Sequence, residues 1–351
     1  GYGGAPDEEY ILEVQDLMDS SKDMTFQEDL DLQIDDPIAS YCQKLRTIID
    51  WQTFNRHSLK IAVDTMHGAT SGVLRSVLLG SKAEVSEIHN DFDPYFGGTA
   101  PEPMESNTHE LQKLISSGQY DLGIAHDGDG DRIMAVIPKV GYLSPQDVAV
   151  ILLWYLVKAR KQEGIVVGSV TMSKRLSLVA NYLGLAYKEV PIGFKNACEI
   201  MRNEKVLIAG EENGGIGFGF YLPERDATLA ATLLSEAEIN YSGGINAIFA
   251  EVEKVAGKSG FSRLNLKLIT SPTIVMEKLK KEPPERFADQ KVLRVSETDG
   301  LKFFLASGDW VNIRAAGTEE LLRVYAESND KQKALEIAKT AKEIIRRIER
   351  I

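Results

Sequence analysis

The chain has 351 residues, a length that predicts two or three domains. It carries 40 Lys and Arg against 52 Asp and Glu, so its formal net charge of −12 disfavours general binding to nucleic acid. Hydrophobic residues make up 43% of the chain and charged residues 26%, as in globular proteins with substantial cores. The longest uncharged apolar run, residues 148–157, is too short to span a membrane.

The two cysteines, Cys42 and Cys198, are too few for a disulfide framework and lack the CxxC spacing of a zinc site. This usage favours a reducing compartment, and we expect a cytoplasmic protein. The sequence begins Gly-Tyr-Gly-Gly, with neither an initiator Met nor a signal peptide, which is typical of a segment taken from a longer chain.

Two stretches of similar pattern, about a hundred residues apart, predict two α/β domains in the central part of the chain. The first stretch predicts a strand at 61–63, a helix at 73–78, a strand near Val85, a helix at 107–116 and a strand at 122–125. The second predicts a strand at 165–167, a helix at 176–183, a strand near Val190, a helix at 195–202 and a strand at 206–209. Each stretch ends in a polar, glycine-rich loop at the carboxyl end of a strand, where open α/β sheets bind ligands.

The two ends of the chain differ from the middle. Residues 1–36 predict one helix, at 7–18, followed by an acidic stretch too short for a core of its own. After a linker at 257–260, strands are predicted at 264–269, 291–296, 301–306, 310–314 and 322–326, before an amphipathic helix at 331–351. We therefore expect α/β domains at 37–160 and 161–260 and a smaller α+β domain at 261–351.

The loop 127–132, Asp-Gly-Asp-Gly-Asp-Arg, gives the strongest local signal. Asp127, Asp129 and Asp131 alternate with glycines, so their oxygens can converge on one hard cation. An EF-hand is excluded, because Arg132 replaces its turn glycine and Pro138 its final glutamate. Three protein ligands leave coordination positions open, which favours Mg²⁺ shared with a phosphate over a closed structural Ca²⁺ cage. The other alternative is a solvated acidic turn, which is disfavoured because three carboxylates repel one another when no cation is bound. Arg132 then faces a phosphate oxygen, or else forms a surface salt bridge.

Two further loops are candidates for substrate binding. Arg314, Gly317 and Thr318 follow a predicted strand and supply the parts of a phosphate cradle, although a hairpin with a surface arginine has the same pattern. The loop 210–215 has paired carboxylates that would repel phosphate and instead suit sugar hydroxyls; a general acid–base pair and a plain acidic turn are the alternatives. Lys195 is either a cleft residue or the first exposed residue of a helix.

Taken in order, several segments resemble the α-D-phosphohexomutases, the phosphoglucomutase/phosphomannomutase family. The matching segments are Asp-Thr-Met-His-Gly at 64–68, Asp-Pro-Tyr-Phe-Gly-Gly at 93–98 with Pro-Glu-Pro at 101–103, residues 121–132, Gly-Phe-Lys at 193–195, Gly-Glu-Glu at 210–212, and residues 314–319 with Arg-Val-Tyr at 323–325. The resemblance extends from about Asp36 to Glu327.

The resemblance implies a four-domain enzyme that converts a sugar 1-phosphate to its 6-phosphate through a phosphoserine and a bisphosphate. Each domain would give one loop to a central cleft, and residues 1–36 would be the remnant of a first domain that carries the serine. The implied sites are Mg²⁺ on Asp127, Asp129 and Asp131, a catalytic Arg132, and hexose phosphates and hexose bisphosphate on Lys195, Glu211, Asn213, Arg314, Gly317, Thr318 and Arg323.

The chain also departs from the family pattern. The family usually has Ser at position 213, often His at 215, and Pro-Ser where Ala315 and Ala316 stand. No Ser-His-Asn occurs, so the nucleophile is expected outside these residues. Two alternatives stay open: a phosphoglucosamine mutase, and a non-catalytic protein that binds phosphosugars or metal.

Overall fold

The computed structural model describes residues 2–6, 8–20, 36–316 and 320–350. These residues form two compact units, each built from two separate stretches of chain. The first unit contains residues 1–165 and 194–249, and the second contains residues 166–193 and 250–351.

The helices and strands follow one another closely along the described ranges. The helices are α1 (Glu8–Ser20), α2 (Ile38–Ile48), α3 (Trp51–Arg56), α4 (Val73–Leu78), α5 (His109–Ser116), α6 (Pro145–Lys158), α7 (Lys174–Tyr182), α8 (Phe194–Asn203), α9 (Ala227–Asn240), α10 (Gly244–Ala256), α11 (Pro272–Lys281) and α12 (Lys331–Ile348). The strands are β1 (Leu59–Asp64), β2 (Ala83–Ile88), β3 (Leu122–His126), β4 (Ile133–Ile137), β5 (Gly141–Leu143), β6 (Ile165–Ser169), β7 (Tyr187–Val190), β8 (Val206–Gly210), β9 (Ile216–Phe218), β10 (Gly260–Lys267), β11 (Arg286–Phe287), β12 (Gln290–Ser296), β13 (Leu301–Leu305), β14 (Trp310–Ala315) and β15 (Leu321–Ser328).

The first unit contains a five-stranded sheet of order β2-β1-β3-β4-β5. Strand β1 lies parallel to β2 and β3, whereas β4 runs antiparallel to β3 and β5. Strands β3 and β4 are buried along their whole length, as expected for strands covered on both faces. On one face Leu111 and Ile115 of α5 pack against Ala62, Met134 and Val136.

Helix α9 contacts β1, β3 and β4 and is buried on almost every side. Its N-cap is Asp226, whose carboxylate accepts hydrogen bonds from the Leu229 amide and from the Tyr41 hydroxyl. Nearer its carboxyl end, buried Glu236 accepts hydrogen bonds from the Tyr155 hydroxyl and the Asp50 amide. These bonds fix α9, whose first turn lies against loop 127–132, the metal-candidate loop.

The second unit is dominated by a six-stranded antiparallel sheet of order β10-β15-β14-β13-β12-β11. Helix α12 packs its apolar face, including Ile337, Ala341 and Ile345, into the same core as Phe303 and Val311. The unit also contains the parallel pair β6 and β7.

The predicted class, two similar α/β domains and a smaller α+β domain, is confirmed. The parallel pair β1 and β2 around α4 recurs as β6 and β7 around α7, and β3 and β8 each continue into an antiparallel partner. Several boundaries differ from the prediction. The strand expected at 264–269 spans Gly260–Lys267, because its register with β15 runs from Gly260 opposite Ser328 to Lys267 opposite Leu321; Gly260 is thus in the strand rather than in a linker, and Ile269 lies beyond it. None of the helices in the described ranges has the length and hydrophobicity that crossing a bilayer requires.

The two chain segments of the second unit meet at one buried carboxylate, Glu327. Ser173 and the Lys174 amide, from the first segment, donate hydrogen bonds to it. From the second segment, the Ser259 hydroxyl (2.7 Å) and the Trp310 indole N–H (2.6 Å) do the same. Four donors around one fully buried carboxylate make it a structural centre of the unit.

We expect Glu327→Ala to lower the free energy of unfolding by about 3–5 kcal/mol, because it leaves four donors without their shared acceptor. Chemical denaturation monitored by circular dichroism measures the loss. Glu343→Ala, on an exposed position of α12, is the matched control and should change stability by less than about 0.5 kcal/mol. Equal stability of the two variants would contradict the role given to Glu327.

Candidate active site

The loop 127–132 connects the antiparallel strands β3 and β4, and its own first carboxylate closes it. Asp127 Oδ1 accepts hydrogen bonds from the amides of Asp131 (3.0 Å) and Arg132 (2.9 Å). Gly130 has a φ of +78°, and a side chain there would meet Thr70 Cγ2 at 2.3 Å. The position therefore requires glycine, as the alternating sequence of the loop suggests.

The surroundings hold this loop from two sides. The amide of Ala69, in the turn after β1, donates to the Gly128 carbonyl at 2.9 Å. The amide of Ala227, the first residue of α9, donates to the Gly130 carbonyl at 3.1 Å. The loop is thus fixed by backbone hydrogen bonds before any ligand arrives.

The three predicted metal ligands come together. One oxygen each of Asp127, Asp129 and Asp131 can be chosen so that all three lie within 4.8 Å of one another. Asp131 Oδ1 is buried and accepts no hydrogen bond from the described residues. A divalent cation would satisfy this oxygen and offset the repulsion among the carboxylates, so the donor set fits Mg²⁺.

The pKa of Asp127, the first of these carboxylates, is shifted strongly. Burial raises the pKa of Asp127 to about 7, against the hydrogen bond from the Arg132 amide, and the negative charges of Asp131 and Asp129 raise it further. His126, just before the loop, supplies no compensating charge, because complete burial lowers its pKa to about 4. The charge at this site therefore responds to pH near neutrality.

Loop 210–215, the sugar-candidate loop, lies directly against the metal-candidate loop. The Ile133 amide donates to the Gly214 carbonyl at 3.1 Å, and Arg132 forms a β-bridge with Gly215. Gly214 has a φ of +102°, and a Cβ there would lie 2.7 Å from the Ile133 carbonyl oxygen. This close approach requires glycine and brings two of the three predicted loops together.

The predicted residues of these two loops occupy one neighbourhood. Arg132 Nε lies 3.3 Å from Asp127 Oδ2 and 3.5 Å from Asp131 Oδ1. Glu211 is 5% exposed, and Asn213 accepts a hydrogen bond from the Gly215 amide at 3.1 Å. Lys195 is exposed in the first turn of α8, beside a groove that also includes Tyr2.

Arg314 and Arg323, two of the predicted phosphate-binding residues, lie in the second unit. Arg314 on β14 is directly opposite Arg323 on β15, so two guanidinium groups share this part of the sheet. Gly317 and Thr318 lie outside the described residues. Asp299 holds Arg314: its Oδ1 lies 3.1 Å from Arg314 Nε, and its Oδ2 accepts the Ile192 amide at 3.0 Å.

Sequence reasoning missed two residues of these sites, Arg225 and Asp299. Arg225 forms ion pairs with Asp131 (2.7 Å) and Glu211 (3.4 Å), one from each of the two adjoining loops. The Pro-Glu-Arg-Asp sequence at 223–226, just before an N-cap, is the signal that could have pointed to Arg225. Asp299 stands in an ordinary Asp-Gly turn, and its link to Arg314 is visible only in three dimensions.

Three family models match the chain, and together they cover most of it. They are phosphoglucomutase/phosphomannomutase alpha/beta/alpha domain II at residues 39–141, alpha/beta/alpha domain III at 144–255 and the C-terminal domain at 273–344.

Individual proteins are similar over much of the chain. Phosphoglucomutase 1 of Drosophila melanogaster is 25% identical over 87% of this chain, which spans 62% of that protein's length. A phosphoglucosamine/phosphogalactosamine mutase of Sulfurisphaera tokodaii is 26% identical over 88% of this chain and 66% of its own length.

Solved structures share the fold. A Thermus thermophilus protein assigned as a phosphomannomutase has a TM-score of 0.85 and 24% identity, covering 98% of this chain and 73% of its own. Aspergillus fumigatus N-acetylphosphoglucosamine mutase, in complex with GlcNAc-6P and magnesium, has a TM-score of 0.61 and 15% identity, covering 88% of this chain and 65% of its own.

The raised pKa of Asp127 predicts that divalent cations bind less tightly as the pH falls through about 7. Protons compete for the carboxylate that the cation needs, so affinity should fall by up to about tenfold per pH unit below that value. Titration calorimetry with Mn²⁺ at pH 6 and pH 8 measures the difference. Asp129→Asn should bind weakly at both values, and an affinity that is the same at both in the unaltered protein would contradict the prediction.

Proposed function

Because this chain belongs to the phosphoglucomutase/phosphomannomutase family, we propose that the complete protein interconverts hexose 1-phosphates and hexose 6-phosphates. The observation that carries the proposal is the joining of loop 127–132 to loop 210–215. It sets a carboxylate triad suited to Mg²⁺ beside a carboxylate and an amide suited to sugar hydroxyls. Glucose and mannose phosphates are the substrates we propose.

Such a reaction first requires that the negative charge on the transferring phosphoryl group be offset. We assign Asp127, Asp129 and Asp131 to Mg²⁺, which when bound offsets negative charge on that group. Arg132 is adjacent to these carboxylates, and we assign its guanidinium to the oxygens of the same phosphoryl group.

Holding the sugar is the second requirement. Glu211 accepts hydrogen bonds from hydroxyls, Asn213 can both accept and donate, and Lys195 adds a cation at the start of α8. Glu211 and Asn213 belong to a loop whose backbone is hydrogen-bonded to the end of the metal-candidate loop. A sugar held there would present its hydroxyls close to the reacting phosphoryl group, which favours transfer by proximity.

The phosphate that does not react needs a separate anchor. We assign Arg314 and Arg323 to it, together with Gly317 and Thr318, which follow β14 in the sequence. Asp299 fixes the Nε edge of Arg314, and a guanidinium held at one edge can donate two parallel hydrogen bonds from its other edge.

The full reaction needs a phosphoryl donor as well as these sites. We propose that a phosphoserine passes its phosphoryl group to the hexose monophosphate, breaking one P–O bond and forming another. The bisphosphate turns around, and its other phosphoryl group returns to the serine. This chain spans 62% of the length of the Drosophila relative. We assign the serine to no residue of this chain.

A phosphoglucosamine mutase is a second candidate, favoured by the Sulfurisphaera relative. It would use the same phosphoryl chemistry with an amino group at carbon 2 of the sugar. Coupled assays of the complete protein with glucose, mannose and glucosamine 1-phosphates separate the candidates by kcat/KM. Absence of turnover with all three sugars would overturn the mutase assignment.

Asp129→Asn should reduce the kcat of the complete protein by about a hundredfold or more, because an amide is a poor ligand for Mg²⁺ at a site with three protein ligands. The coupled mutase assay measures the loss. Asp289→Asn makes the same chemical change at an exposed position of the second unit and should keep full turnover. Retained activity in Asp129→Asn would remove this residue from the metal site.

Arg314→Ala should raise KM for the hexose phosphate about tenfold to a hundredfold, because it removes a charge-assisted, two-point contact with phosphate. Steady-state kinetics of the complete protein measures the change. Arg347→Ala, on an exposed position of α12, should leave KM within about twofold. An unchanged KM in Arg314→Ala would show that the phosphate is anchored elsewhere.

A further inference from the structure

Arg225 contacts both of the adjoining loops. Its Nη2 lies 2.7 Å from Asp131 Oδ2, and its Nη1 lies 3.4 Å from Glu211 Oε2. Its Nε lies 3.3 Å from Glu224 Oε1, so the guanidinium has carboxylates at all three nitrogens. Among the described residues, this side chain pairs with a carboxylate from the metal-candidate loop and with one from the sugar-candidate loop.

The local structure is shaped around this side chain. A Cβ at position 215 would lie 2.3 Å from Arg225 Cδ, so the glycine there leaves the space that the arginine stem fills. The ring of Phe194 lies under the guanidinium, with 5.5 Å between its centroid and the Arg225 Cζ. These contacts hold the side chain in place, and it is only about one-quarter exposed.

Arg225 and a divalent cation would compete for the carboxylate of Asp131. Oδ2 of this carboxylate pairs with Arg225, while Oδ1 is buried without a hydrogen bond from the described residues. A divalent cation that takes Asp131 must share it with a positive charge a few ångströms away. That arrangement weakens cation binding, whereas the contact with Glu211 orients a carboxylate that we assign to the sugar.

We propose that Arg225 is a positioning residue that competes with the divalent cation for Asp131 while it holds Glu211 in place for the sugar. This inference rests on the function proposed above for the two loops. Arg225 would then have two opposite effects on affinity: it lowers the affinity for the divalent cation and raises the affinity for the sugar phosphate. A residue with a merely structural role would weaken both when it is removed.

The test compares the unaltered full-length protein with three variants, each shown by circular dichroism to be folded. Arg225→Gln removes the charge, Arg225→Lys keeps the charge but not the forked geometry, and Arg56→Gln removes the same charge from an exposed position of α3. Calorimetric titrations with Mn²⁺ and, separately, with glucose 6-phosphate give the two dissociation constants.

In Arg225→Gln we expect Mn²⁺ to bind about three- to thirtyfold more tightly and glucose 6-phosphate about three- to tenfold more weakly than in Arg56→Gln. Arg225→Lys should keep its Mn²⁺ affinity within about twofold and lose sugar affinity. The inference is overturned if Arg225→Gln binds Mn²⁺ no more tightly, or glucose 6-phosphate no more weakly, than the control.

Two safeguards keep the outcome interpretable. If Arg225→Gln does not fold, Arg225→Lys decides, and unchanged affinity for both ligands in that variant overturns the inference. Failure of the proposed function looks different, because the unaltered protein would then bind neither Mn²⁺ nor glucose 6-phosphate.

Discussion

Repulsion among three carboxylates is the constraint on which this site depends. Asp127, Asp129 and Asp131 approach within 4.8 Å, which is unfavourable unless the backbone enforces it or a cation relieves it. The backbone does enforce it: the side chain of Asp127 ties the loop to itself, and the Ala69 and Ala227 amides hold it from outside. Much of the first unit, including the buried helix α9, supports this one turn.

The same turn determines where the neighbouring loop lies. Loop 210–215 comes from a distant part of the sequence, yet its Gly214 carbonyl accepts the Ile133 amide at the end of the metal-candidate loop. A carboxylate suited to hydroxyl groups is therefore kept at a fixed place relative to a carboxylate triad suited to a metal. Positioning of this kind is a large part of what an enzyme supplies in phosphoryl transfer.

Sequence patterns predicted many of the elements, including strands that end in distinctive loops and the amphipathic helix α12. Strands such as β1 and β3, the alternation of Asp and Gly at 127–131, and the repeat of the first α/β pattern all have local signatures. Six of the helices that the structure describes were not predicted: α2, α3, α6, α9, α10 and α11. Two of them, α6 and α9, are buried on nearly all sides and show no apolar stripe. Periodicity cannot distinguish such a helix from any other apolar stretch.

The residues of the candidate site also differ in whether the sequence alone could identify them. Residues whose type suggests their chemistry, such as Asp129 and Arg314, are identifiable from short motifs. Arg225 and Asp299 are not, because their importance lies in the partners that the fold gives them: Asp131 and Glu211 for Arg225, and Arg314 for Asp299. Ion pairs between residues far apart in sequence leave no local pattern.

The division of each unit into two chain segments has a consequence for synthesis on the ribosome. Residues 1–165 must await residues 194–249 before the first unit is complete, and residues 166–193 must await the last hundred residues of the chain. Glu327, the acceptor that joins Ser173 to Ser259, is among the last of these to emerge. Ser173 is therefore made 154 residues before Glu327, the acceptor of its hydrogen bond. Until Glu327 is made, the start of α7 lacks this buried contact, and an incompletely packed unit is open to association with other chains.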